Sequence, residues 1–169
     1  VSGDDLQIQR VPITHPDARL LVEAVQEEYV VRYGGRDDSP IDPMDFEDPL
    51  GRFFVGYLDG TPVATGAWRR STVRALGADV TAEVKRMYVV PAAQRRGIAR
   101  RMLAHLEVTA AEAGYGALVL ETGMRQPEAI SLYLSSGYEP IEGFGHYAGS
   151  DLSRCFGRRI DTAATGSAG

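Results

Sequence analysis

Residues 84–103, VKRMYVVPAAQRRGIARRML, decide how the rest of the chain is read. VKRMYVV is rich in β-formers and Pro91 ends it. From Arg96 onward Ile98, Met102, Leu106, Ala110 and Ala113 recur at helical spacing. The reading is a strand, a short turn and a helix start. The turn gathers Arg95 and Arg96, with Arg100 and Arg101 just behind, and holds no acid. Positive side chains are disfavoured at a helix start, because the macrodipole already puts partial positive charge there. Gly97 lets the backbone approach a ligand closely. The N–H groups of the first turn point outward and favour an anion. Arginine forks match phosphate oxygens. The stretch therefore predicts a cradle for a pyrophosphate. The competing reading is a solvated basic helix face, since spacing exposes Arg100 and Arg101. Neither GxxxxGK[ST] nor GxGxxG occurs, so this is not a Walker loop or a dinucleotide fingerprint.

Outward from that stretch, the pattern alternates between strand and helix. LQIQRV (6–11) alternates apolar and polar residues and reads as a strand, and residues 18–31 read as an amphipathic helix stopped by Gly34 and Gly35. RDDSPIDPMDFEDP (36–49) is an acidic, proline-rich loop or broken short helix. Residues 52–71 form an antiparallel hairpin about Asp59-Gly60, and residues 80–90 form the strand that opens the quoted stretch. After the helix over 96–113, ALVLET (117–122) is nearly all apolar, as in a strand covered on both faces. A helix over 126–135, a strand at 138–142, a loop at 143–150 and a last antiparallel edge strand at 153–160 complete the order. The fold class is α+β: a mixed, mostly antiparallel sheet with helices on both faces. Residues 1–160 are expected to be one domain, and 161–169 have the composition of a disordered tail.

The 169 residues suffice to bury a sizeable core. A net charge of -5 argues against general nucleic-acid binding but not against a local anion site. One cysteine, Cys155, allows no internal disulfide, and His15, His105 and His146 are too scattered to mark a metal site. No apolar run has the length of a membrane span and no signal peptide is visible, so a soluble, cytoplasmic protein is the expectation.

Gln94-Arg95-Arg96-Gly97-Ile98-Ala99 resembles the Q/R-x-x-G-x-G/A signature of the GNAT superfamily of N-acetyltransferases. MYVVP (87–91) looks like that family's fourth strand and the proline after it. QPEAISLYLSSGY (126–138) is similar to its second motif, N-x-x-A-x-x-x-Y-x-x-x-G-[FY], with Gln126 in place of the usual Asn. The likeness extends over about residues 6–160.

The resemblance implies acetyl-CoA as co-substrate and no metal. It implies fourth and fifth strands that splay apart around the pantetheine arm. The backbones of Met87 and Val89 would pair with that arm, one N–H polarising the thioester carbonyl. Gln94, Arg95, Arg96, Gly97, Ile98 and Ala99 would hold the pyrophosphate, and Gln126 would sit beside the pantetheine. Tyr133, at the motif's tyrosine, would protonate the leaving thiolate; a core aromatic is the alternative. Glu83 lies eleven positions before Gln94, the offset of the catalytic glutamate in the superfamily's histone acetyltransferases. It would be the general base; an ion pair with Lys85 or Arg86, or a plain exposed position, is the alternative. The implied activity is direct acetyl transfer to a primary amine of a small molecule or protein in a ternary complex. A catalytically idle acyl-CoA sensor is the alternative function, and an RNA- or phosphoprotein-binding module a third.

The acceptor is expected between loops 33–49 and 143–150. Asp37, Asp38, Asp42, Asp45, Glu47 and Asp48 would form an acidic rim for a cationic amine, or else a solvated loop. Tyr33, Phe46, Trp68, Phe144, His146 and Tyr147 are candidates for an apolar wall. Cys155 reads as a buried or edge thiol and not a nucleophile. Pairing through the 153–160 edge would give a homodimer.

Overall fold

The turn at Asp59-Gly60 shows how local sequence sets this architecture. Both residues have positive φ, 50° and 79°, as a two-residue type I′ turn requires. It joins β2 (Gly51–Leu58) to β3 (Thr61–Ser71) in an antiparallel ladder, and β1 (Leu6–Arg10) adds to the free side of β2. The structure is a computed structural model and describes residues 5–36, 42–123, 126–144 and 153–161. Between β1 and β2 lies α1 (Pro16–Tyr33) and a 3-10 turn at Pro43–Phe46. Then follow β4 (Thr81–Val89), a 3-10 turn at Pro91–Ala93, α2 (Ile98–Glu112), β5 (Ala117–Gly123), α3 (Pro127–Ser135), β6 (Glu139–Pro140) and β7 (Ser153–Arg159).

The strands run in the order β1-β2-β3-β4-β5-β7-β6, mostly antiparallel, with β4 and β5 parallel. The β4–β5 ladder matches Thr81, Ala82 and Glu83 with Ala117, Leu118 and Val119, while β4 continues to Val89. One expectation is corrected here. The last strand is not at an edge: β7 pairs with β5 along its length and with β6 through Gly157 and Phe156. The YEPIE run supplies that cover through Glu139 and Pro140, and the Ile141 N–H donates on to Cys155 O (3.0 Å). Pro140 opposes Phe156 in a non-hydrogen-bonded pair, so its missing N–H faces away from β7.

The chain forms two compact units, Val1–Arg69 with Lys85–Ala104 and Arg70–Val84 with His105–Gly169. Both β4 and α2 run through the two. In the first unit Phe53, Val55 and Ala67 point to one sheet face, where Ala18 and Leu21 of α1 and Phe46 close the core. Gly56 and Gly66 alternate to the other face, and an added Cβ on either would meet Met102 of α2. Helices therefore cover both faces there, as the sequence pattern predicts. His15 Nδ1 accepts from the Asp17 N–H (3.1 Å) at the start of α1, and Gly34, at φ 78°, closes its end. In the second unit Leu118, Val119 and Leu120 are all essentially inaccessible, as an apolar strand covered on both faces should be.

Candidate functional site

In the first unit the turn after β4 is held by its own backbone and one side chain. The Val90 N–H donates to Val63 O (2.9 Å), the Ala93 N–H to Val90 O (2.9 Å) and the Gln94 N–H to Pro91 O (3.3 Å). Gln94 Nε2 donates to Val89 O (3.0 Å). The Gln94 amide, expected as a cofactor contact, also closes the turn on the Val89 carbonyl. Arg95 and Gly97 both have positive φ, 68° and 76°. No α-helix passes through such residues, so α2 begins at Ile98 and not at Arg96. Gln94 before them is extended, at φ −71° and ψ 160°, so the two left-handed residues lead from the strand end into the helix.

The i→i−4 ladder of α2 opens with the Arg101 N–H donating to Gly97 O (3.1 Å). The N–H groups of Ile98, Ala99 and Arg100 precede it, as at every helix start. A Cβ on Gly97 would meet nothing within 4 Å, so the glycine serves its φ and the space beside it is open. Arg95 and Arg96 are exposed, and no acid lies in the first turn of α2. Ala93 and Ile98 are buried and pin the loop at both ends. Ile98 can thus offer its N–H but not its side chain. Donors and positive charge alone face outward, and this set fits a diphosphate.

Just upstream, Arg86 has φ 58° inside β4. Such a conformation in a bulky residue costs on the order of 1–3 kcal/mol and persists only where its surroundings enforce it. Thr65, 1% exposed, donates its hydroxyl to the Arg86 carbonyl at 2.6 Å. This fixes the backbone that leads to Met87 and Val89.

In the second unit Glu83 is 9% exposed, a carboxylate on a strand otherwise built as core. Its register partner is Val119; two residues on, Glu121 faces Cys155 on β7. Opposed residues share a sheet face, so Glu83, Glu121 and Cys155 lie on one side. Both glutamates act electrostatically on the Cys155 thiol. Burial, first, and then these two charges push that thiol up from its usual range. Its Sγ also donates to Phe144 O at 3.8 Å. A thiol so placed is a poor nucleophile, as expected. Sequence reading passed over Glu121. The signal was an acid directly after the apolar run ALVL, but nothing local shows that its strand lies beside Glu83.

Tyr133 is 5% exposed on α3, and its ring meets that of Tyr138 edge-on at 5.7 Å. The Tyr138 hydroxyl donates to Glu107 Oε2 (2.9 Å), and Arg158 Nη1 donates to Glu107 Oε1 (3.0 Å). Arg158 pairs in register with Leu118, so this group lies on the sheet face opposite Glu83. Gln126 stands at the N-cap of α3, where its carbonyl accepts from the Ala129 and Ile130 N–H groups and its side chain makes no cap bond.

The acidic rim does not take the form expected of it. Asp45 is 3.4 Å from Arg69, Asp48 is 3.0 Å from Arg10 and 3.4 Å from Arg52, and Asp42 Oδ1 accepts from the Met44 N–H. Asp45 and Asp48 fasten the loop to the sheet through its arginines, and Asp42 caps the 3-10 turn. Asp37, Asp38, His146 and Tyr147 lie outside the described residues. Phe46 and Trp68 are 1% exposed core residues and line no acceptor wall; Arg52 lies over the Trp68 ring at 5.6 Å. Tyr33 meets Tyr29 edge-on. Among the described residues no helix is long and apolar enough to cross a membrane.

Residues 19–138 match the family described as Acetyltransferase (GNAT) family. An IAA acetyltransferase from Azospirillum brasilense is 35% identical over 133 residues, covering 79% of this chain and 84% of that protein. The crystal structure of an acetyltransferase of the GNAT family from Staphylococcus aureus Mu50 superposes with a TM-score of 0.70 at 16% identity, over 92% of this chain and 100% of that one. The PaiA N-acetyltransferase of Thermoplasma acidophilum, in complex with coenzyme A, superposes with a TM-score of 0.67 at 14% identity, over 92% of this chain and 99% of that one. At such identities these two structures bear on the fold alone. With the family match over most of the chain, and a loop of matching chemistry at the start of α2, the chain belongs to the GNAT family of acetyltransferases.

Proposed function

We propose that the protein moves the acetyl group of acetyl-CoA directly to a primary amine of a small molecule or protein, without a covalent acyl-enzyme. The observation that carries this reading is the loop over 94–101. Its left-handed Arg95 and Gly97, the first N–H groups of α2 and the exposed Arg95 and Arg96 form a cradle free of acids. Bound there by its diphosphate, acetyl-CoA supplies an acyl group activated as a thioester. Met87 and Val89 offer backbone to its arm, and Gln126 its side chain.

The chain's own residues then handle two protons. An alkyl amine has a pKa near ~10, by analogy with lysine, and must lose a proton before its nitrogen can attack. Glu83 takes that proton, with Glu121 as the second carboxylate on the same face. The new C–N bond forms as the C–S bond breaks, and Tyr133 gives its phenolic proton to the sulfur. Opposite sheet faces for Glu83 and Tyr133 support this division between base and acid. Cys155, buried and with a raised thiol, supports transfer without an acyl-cysteine.

Thermal unfolding with and without acetyl-CoA tests the cradle. Ligand at 100 times its dissociation constant adds about 2.7 kcal/mol, a rise of roughly 5–10 °C for a chain of this length. Arg96→Glu should abolish the rise; no rise at millimolar acetyl-CoA would refute the site. Turnover follows with a panel of small amines, polyamines and peptides, to which IAA is added because the Azospirillum relative is named for it. Binding without turnover on any of them would favour the acyl-CoA sensor.

A further inference from the structure

The C-terminus of α3 ends in a two-bond cap. The Gly137 N–H donates to Leu134 O (3.2 Å) and the Tyr138 N–H to Tyr133 O (3.0 Å), with Gly137 at φ 93°. This is the Schellman arrangement, in which the residue after the glycine packs on the helix residue whose carbonyl it caps. Here those two residues are Tyr138 and Tyr133, with ring centroids 5.7 Å apart and planes at 64°. The candidate acid is therefore tied to Tyr138 twice, by backbone and by ring.

Tyr138 is itself held from outside α3. It is 3% exposed, and its hydroxyl donates to Glu107 of α2, whose other oxygen accepts from Arg158 of β7. The Glu107 side chain is 16% exposed and that of Arg158 40%. The Arg158 guanidinium also lies against the cap: a Cβ on Gly137 would stand 3.3 Å from its Nε. A phenolic oxygen lies about 6.5 Å from its Cα, so a tilt of ~10° moves it about 1 Å, enough to cost up to ~100-fold in rate.

We propose that Glu107 and Arg158 are positioning residues, which through the Tyr138 hydroxyl lock the cap of α3 and so aim the hydroxyl of Tyr133. This rests on the reading of Tyr133 as the acid. Burial of the Tyr138 phenol, and then the Glu107 charge beside it, push its pKa well above the usual value, so its hydroxyl remains a donor across the working pH range.

The test compares Tyr138→Phe, Glu107→Ala, Glu107→Gln and Tyr133→Phe by amide hydrogen exchange, and by kcat and KM with acetyl-CoA and the best amine of the panel. In Tyr138→Phe and Glu107→Ala the amide of Tyr138 should exchange about tenfold faster. Their kcat should fall about tenfold while KM for acetyl-CoA stays within about twofold. Glu107→Gln keeps an acceptor for Tyr138 and should recover most of the loss. Adding Glu107→Ala to Tyr133→Phe should lower kcat no further. Unchanged exchange, or a loss that adds in full to that of Tyr133→Phe, would overturn the lock and leave the acid role intact. Tyr133→Phe at full kcat would overturn the acid role, and with it the aiming function. Should Glu107→Ala not fold, Tyr138→Phe, which removes one oxygen, carries the same readouts.

Discussion

At the scale of single residues, two features depend on one hydrogen bond or one charge. The left-handed Arg86 is held by the Thr65 hydroxyl. Thr65→Val keeps the shape, removes the donor and leaves a buried carbonyl one bond short. The expected loss is about 1–3 kcal/mol, read as a fall in Tm of several degrees. Glu83→Gln should lower kcat; full activity from pH 6 to 9 would end the base reading. Glu121→Gln alone should cost less than Glu83→Gln, and the reverse order would exchange their roles. That Glu83 is an acid set within a core strand was legible, because its neighbours on the strand are apolar. Arg86 was not, because left-handed positions announce themselves through Gly or Asn, and a threonine on another strand enforces this one. That Gln94 braces the turn was not legible, since its partner, Val89 O, is backbone and leaves no mark in the sequence.

Among the elements, α1 is joined to the sheet by two phenols. The Tyr57 hydroxyl donates to Asp17 at 2.7 Å, and Tyr88 is bonded to Glu28. Burial, and then the carboxylate partner, push both phenols up to about 12. A raised pKa in the folded state means stability fully present below the ordinary phenol value near ~10 and lost as pH rises through 12. Alkaline titration should therefore loosen α1 first, seen as faster amide exchange across Pro16–Tyr33 above pH ~10. Tyr57→Phe should cost about 0.5–1.5 kcal/mol at neutral pH. The 42–51 loop responds at the other end of the scale. The Arg10 guanidinium holds Asp48 below the usual carboxylate range, so its contribution is present above that range and lost as pH falls through the lowered value. The Tm difference between the protein and Asp48→Asn should shrink as pH is lowered from 7 to 3. The helices and the hairpin were readable because their signals are local: periodicity, Gly34 and Asp59-Gly60. That β7 lies inside the sheet was not, because neighbours in a sheet are chosen by distant chain and one short strand suffices to cover an edge. The acidic loop misled for a related reason: its counter-charges, Arg10, Arg52 and Arg69, lie on three strands.

For the molecule as a whole, the order of elements and the two motifs were enough to expect the mixed sheet and the acetyltransferase family. The acceptor was not legible, because two of the carboxylates expected to draw it, Asp45 and Asp48, pair with arginines of the sheet. Each unit is discontinuous in sequence, and β4 and α2 belong to both. No single cut yields a fragment holding one unit whole and nothing of the other. Calorimetry should accordingly show one transition, and expression of 1–104 by itself should give a chain lacking most of its second unit and unable to complete α2. Exchange of parts between relatives is constrained in the same way. A graft meant to change what the enzyme acetylates has to leave the stretches 81–89 and 98–112 uninterrupted, and loops are the units that can be traded.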